Sequence, residues 1–114
     1  MPHSSRLPGA PKNSAPLFAA LGDETRLRLV ARLCDSGPMS IARLTTGTDV
    51  TRQAITKHLR VMEEAGLVRS RRHGRESMWE LERKRLDEAR RYLEIIANQW
   101  DDALGRLRAF VEEP

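Results

Sequence analysis

Residues 51–81 read TRQAITKHLRVMEEAGLVRSRRHGRESMWEL, and the change of period partway along this stretch decides the fold. From Thr51 to Ala65 the apolar residues Ile55, Leu59 and Met62 return on one side of a wheel drawn at about 100° per residue, so this part is an amphipathic helix. Thr51 is a residue type that caps helix N-termini, and Gly66 is one that ends them. Past Leu67 the helical spacing fails. Leu67-Val68 and Met78-Trp79-Glu80-Leu81 bracket a polar centre, which fits two short strands joined at His73-Gly74.

On the N-terminal side, helices fit APLFAALG, closed by Gly22, and DETRLRLVARLCDSG, capped by Asp23 and ended by Gly37-Pro38. The second of these turns Leu27, Val30, Ala31 and Cys34 inward by its spacing. Ser40 caps a short third helix, SIARLTTG, and Gly47 to Val50 form a turn before Thr51. Short helix, tight turn, helix and two-strand ribbon make a helix-turn-helix with a wing. The expected class is mainly α with a small β-hairpin. The parts are a disordered arm over 1–14, a DNA-binding domain over 15–81 and a dimerisation helix over 82–114.

Charge supports the nucleic-acid reading. The outer face of the Thr51 helix carries Arg52, Gln53, Thr56, Lys57 and Arg60, with no acid before Glu63. Between Thr51 and Arg75 seven bases face two acids, a net +5, whereas the whole chain is only +4. The positive excess is therefore concentrated in 25 residues, the footprint of a polyanionic partner. Gln53 suits an adenine edge, Arg52, Lys57 and Arg60 suit guanine edges or phosphates, and Thr56 suits a phosphate or a thymine methyl. Arg71, Arg72, His73, Gly74 and Arg75 suit the adjacent minor groove or backbone. An exposed hairpin charged for solubility is the plainer alternative.

Beyond Glu82 the pattern is helical to about Glu112. Leu86, Leu93, Trp100 and Leu107 lie seven apart, and Ala89, Ile96, Ala103 and Phe110 fill the second apolar position of each heptad. This repeat marks a helix that packs lengthwise on another helix. Some 30 residues of helix span about 45 Å, and no other segment of the chain is that long. A second copy is the expected partner; packing on the chain's own core is the alternative. Trp79 and Trp100 read as packing anchors, with a pocket for a small organic effector as the other possibility.

LFAALGDETRLRLVARL together with DVTRQAITKHLRVMEEAGLVRSRRHGRESMWEL resembles the ArsR (arsenical-resistance repressor) family of winged-helix regulators, from about Leu17 to the C-terminus. The resemblance implies a homodimer built on the first and last helices, with Leu17, Phe18, Leu86, Leu93, Ile96, Trp100 and Leu107 at the seam. It also implies binding to a double-stranded operator, usually to repress, and an effector that releases the DNA. On that reading Ser40, Thr51, Arg52, Gln53, Thr56, Lys57, Arg60 and the wing residues contact DNA.

The sequence departs from the family's metal-sensing members. They carry Cys-x-Cys near the helix-turn-helix, or His with acids on the last helix. Here LCDSGPMS has Cys34 alone, and the last helix has Asp87, Glu88, Glu94, Asp101 and Asp102 but no His. Soft metal sites need several N or S ligands, so neither metal nor cofactor is expected. Cys34 reads as a small buried hydrophobe, with a redox sensor as the alternative. His58 reads as a hydrogen-bonded packing residue.

No glycine-rich phosphate loop, Ser/His/Asp set or acid pair points to an enzyme. No apolar run suits a membrane span or a signal peptide, so a cytoplasmic protein is expected. Two other functions remain open. One is a derepressor that answers a metal or small molecule at an unrecognised site. The other is a protein-interaction module that has lost DNA. Operator, regulated genes, effector and direction of regulation are not readable from the residues.

Overall fold

A computed structural model describes residues 14–112. The arm expected over 1–14 therefore lies outside the described residues, except Ser14, which begins the first helix. Helix α1 is Ser14–Leu21 and α2 is Glu24–Ser36. Asp23 caps α2 as its residue type suggests, its Oδ2 accepting the Arg26 backbone N–H at 3.0 Å. At the other end the Gly37 N–H returns to Leu33 O at 2.9 Å.

A two-residue strand, β1 (Met39–Ser40), leads into helix α3 (Ile41–Thr45). Ser40 ends the strand and caps the helix, its Oγ accepting from Arg43 N at 3.3 Å. Helix α4 is Arg52–Glu64, with Thr51 as its cap (Ala54 N to Thr51 Oγ1, 3.1 Å). Gly66 follows at φ +80°, a conformation costly to any residue with a Cβ. Strands β2 (Val68–His73) and β3 (Glu76–Leu81) then form the hairpin, which turns at Gly74, φ +64°. Helix α5, Arg83–Glu112, completes the described chain.

The strands form one antiparallel sheet in the order β1-β3-β2. Met39 pairs with Trp79 and Ser40 with Met78, while Val68 pairs with Leu81 and His73 with Glu76 at the two ends of the hairpin. The sequence reading has only the hairpin. A two-residue strand is too short to display an alternation, so β1 is visible only in the fold.

One core joins the layers. Leu17 of α1, Leu29 and Leu33 of α2, Met39, Leu44, the α4 stripe of Ile55, Leu59 and Met62, and Leu67, Val68 and Trp79 of the hairpin are all buried together. Each large side chain contributes about 1.5–3 kcal/mol by leaving water. Trp79 is thus a packing anchor, as expected.

Two expectations about α2 are corrected. Leu27 is 51% exposed, and Ala31 and Cys34 are exposed too. The inner stripe is Arg26, Leu29, Val30 and Leu33, the same spacing shifted by one residue. It opens on Arg26, half-buried with its Nε bonded to Ala20 O, and a hydrophobic pattern discounts such a residue. Cys34 is therefore a surface thiol rather than a buried hydrophobe. Of the residues expected at the seam, Leu17 is fully buried within the protomer and so is withdrawn from it, while Leu86 is half-buried against the same core.

Candidate nucleic-acid interface

The seat of α4 is built from arginines that hydrogen-bond carbonyls at neighbouring helix ends. Arg32 of α2 donates from Nη1 to Leu44 O (2.7 Å) and Thr46 O (3.3 Å), and from Nη2 to Arg43 O (3.0 Å). A guanidinium there gathers carbonyls at the end of α3, Arg43 O among them although it also accepts the Thr46 N–H at 3.2 Å, and complements the helix dipole. It fixes the turn that aims α4. At the far end of α4, Arg85 donates from Nε to Ala65 O at 2.9 Å and pairs with Glu88 at 2.9 Å. Arg26 donates from Nε to Ala20 O at 2.6 Å and lies 3.1 Å from His58 Nδ1. His58 on α4 is thus a hydrogen-bonded packing residue, as its place at the edge of the inner face suggests. Asp23 lies 3.9 Å from the same ring, and the Arg26 N–H bonded to its charged form holds its carboxyl below the ordinary range.

With its stripe of Ile55, Leu59 and Met62 buried, α4 turns Arg52, Gln53, Lys57 and Arg60 to the outside, all exposed. Thr56 is half-buried, and its hydroxyl donates to Arg52 O at 2.9 Å. The helix therefore presents the face that the sequence assigns to it. Ser40 is the exception in that group. It is only 6% exposed, with its oxygen committed to the α3 cap, so it is withdrawn from the surface.

The hairpin has two faces. Val68, Ser70 and Arg72 share one with Leu81, Trp79 and Ser77; Arg69, Arg71 and His73 share the other with Glu80, Met78 and Glu76. On this second face one carboxylate oxygen, Glu80 Oε2, meets Arg69 Nε and Nη2, each at 2.8 Å, and Arg71 Nη2 at 3.3 Å. Arg69 also reaches Glu82 at 3.5 Å. Glu80 bonds and Glu82 faces the Arg69 guanidinium, and both carboxylates raise its pKa further. At the tip Arg72, His73, Gly74 and Arg75 are exposed.

Two features were not readable beforehand. Arg43 of α3 is exposed on the helix preceding the turn, and no periodicity marks it. The brace roles of Arg26 and Arg32 depend on carbonyls that only the fold brings near. Among the described residues, no three His, Cys, Asp or Glu side chains converge as metal ligands would, and no helix is long and apolar enough to cross a membrane.

Comparison with known proteins agrees with this geometry. A model described as a helix-turn-helix domain matches residues 21–71. The chain is 41% identical over 69 residues to the uncharacterized HTH-type transcriptional regulator YuzN of Bacillus subtilis, spanning 55% of this chain and 75% of that protein. It is 37% identical over 59 residues to the arsenical resistance operon repressor of Escherichia coli, spanning 52% of this chain and half of that one. An ArsR-like transcriptional regulator from Rhodococcus sp. RHA1 superposes with a TM-score of 0.79 at 36% identity, over 90% of this chain and 95% of that one. A buried α4 stripe, a cationic outer face and likeness along nearly the whole chain converge: the protein belongs to the ArsR-like family of DNA-binding, helix-turn-helix transcriptional regulators.

Proposed function

We propose that the chain works in the cytoplasm as a homodimer that represses transcription by occupying a two-fold-related operator. Residues 15–81 form the DNA-binding unit, and α5 (Arg83–Glu112) is the dimerisation helix. In each protomer α4 enters the major groove with Thr51, Arg52, Gln53, Thr56, Lys57 and Arg60, and the wing tip of Arg72, His73, Gly74 and Arg75 meets the flanking minor groove or backbone. Arg71 lies at the margin of that footprint. Thr56 has its O–H committed to Arg52 O, so a methyl contact to thymine is what it offers best. No catalytic step is part of this role.

The observation that carries the reading is the sidedness of α4: three buried apolar residues behind, and an exposed face of donors and cations in front. Dimerisation is supported by α5, on which Leu93, Ile96, Trp100, Leu107, Phe110 and Val111 are exposed along one side. A soluble chain leaves such a stripe to a partner. Of the seam residues expected from the sequence, Leu93, Ile96, Trp100 and Leu107 fit that part; Phe18 is half-buried against Tyr92 of α5, with ring centroids 5.7 Å apart.

The test is a selection of duplexes bound by the purified protein from fragments of its own genome, followed by footprinting. The expected result is protection of two half-sites about 10 bp or a multiple apart, with affinity falling steeply as salt rises. A protein that retards no duplex would instead be an interaction module.

A further inference from the structure

The four arginines of the wing are not equivalent. On the outer face of the hairpin, Arg69 and Arg71 are matched by Glu80 and Glu82, two cations against two carboxylates. At the tip, Arg72 and Arg75 have no ion-pair partner among the described residues. Glu80 is the less exposed member of its pair with Arg71, with 18% of its side chain accessible against 64% for Arg71. It is also fixed from a second side by Arg69, the residue directly opposite it on β2.

Resting on the DNA-binding reading above, we propose that Glu80 is a positioning residue of the nucleic-acid interface. It holds the Arg71 guanidinium on the body of the wing and removes one phosphate contact per protomer from the footprint. The physical argument is an exchange. When a phosphate takes Arg71, it displaces a carboxylate already seated there, and that carboxylate is left near the DNA backbone. The gain is small because one anionic partner replaces another. Arg72 and Arg75 make no such exchange. The wing then grips through its tip, and sequence-blind attraction to DNA is lower than the number of arginines suggests. A regulator gains discrimination from such a restraint, because non-specific binding is the term that phosphate contacts supply.

The experiment uses the full chain and a short duplex of random sequence, titrated at several salt concentrations. Glu80→Gln keeps the size and a hydrogen-bonding oxygen but removes the charge. The expected result is several-fold tighter binding at low salt, with a log–log salt slope steeper by about 0.9 for each protomer bound. Glu80→Asp keeps the charge and should stay near the parent. Arg71→Gln should change the slope little in the parent but cancel the gain in the Glu80→Gln background. Thermal unfolding of each variant establishes that the hairpin is intact.

An unchanged or shallower slope for a folded Glu80→Gln protein overturns the assignment. An equal effect of Arg71→Gln in both backgrounds overturns it as well. If Glu80→Gln does not fold, the decision rests on Arg71→Gln in the parent: a slope loss near 0.9 per protomer is against the proposal, and a small one supports it. A parent chain that binds no duplex at any salt removes the DNA-binding reading itself, and is distinguishable from a parent that binds while its variants behave otherwise.

Discussion

Helices α4 and α5 carry similar apolar stripes and use them in opposite ways. Ile55, Leu59 and Met62 of α4 are buried inside the protomer, whereas Leu93, Trp100 and Leu107 of α5 lie in the open, Trp100 with 63% of its surface accessible. Their polar faces differ too. The outer face of α4 is free of acids up to Glu63, but α5 mixes signs, with Asp87 between Arg83 and Arg90 at 3.5 Å from each. A periodic stripe shows that a helix has a partner; only the fold shows whether the chain itself supplies that partner. The opposite face then shows what else the helix can do. A single-sign face suits a polyanion, and a mixed one suits water.

The contrast breaks first, and most severely, at the buried stripe. Leu59→Ala should cost about 2–5 kcal/mol, measured by urea unfolding, because the hole opens in a fully packed core. Trp100→Ala should weaken assembly, so its unfolding midpoint falls with dilution, while the separated protomer stays nearly as stable as before. If Trp100→Ala costs a monomeric chain as much as Leu59→Ala does, Trp100 is packed within the protomer and α5 is not an open seam. Second in size is assembly. A double change, Leu93→Glu with Leu107→Glu, should give folded monomers by sedimentation and lose on the order of a hundredfold in operator affinity, since two linked half-sites become independent ones. A dimer that survives would move the seam elsewhere.

The outer face of α4 sharpens the comparison further. Gln53→Ala should erase about 1–3 kcal/mol of preference at one base position in each half-site, while Lys57→Ala should weaken binding to all sequences alike and reduce the salt slope by about 1 for each protomer bound. A selection experiment with each variant separates the two. The smallest effect concerns the brace beneath α4. The Asp23 carboxyl lies below its ordinary value of 3.8 in the folded chain, so the stability it contributes is complete above that pH and is lost as pH falls through the depressed value. Asp23→Asn, which can still cap α2, should lose that small contribution at neutral pH and converge with the parent in acid, flattening the acid side of the stability curve. Equal stability of the two proteins at neutral pH would show that the carboxylate's charge contributes nothing beside Arg26 and His58.

Much of this was legible beforehand. Asp23, Ser40 and Thr51 cap the helices that their residue types predict, and the hairpin turns where Gly74 allows it. The cationic face of α4 is where its spacing places it. What escaped the sequence shares one physical reason: it depends on groups distant in the chain. Arg26 belongs to the inner stripe of α2 because its guanidinium meets Ala20 O of α1 and the His58 ring of α4, and without that knowledge Leu27 and Cys34 look inward. Ser40 looks available until β3 pairs beside it. Leu17 looks like a seam residue until the core closes over it. Arg71 looks like its neighbour Arg72 until the pairing of β2 with β3 brings Glu80 within reach.

The two-residue strand β1 has a mechanical consequence. It joins the start of α3 to β3 through the ladder of Met39 with Trp79 and Ser40 with Met78, so the wing is tied by backbone hydrogen bonds to the helix that precedes α4, like a strut between two arms. Under the proposed function, a displacement of the wing on the duplex would be felt at the start of α3, just ahead of the turn that leads into α4.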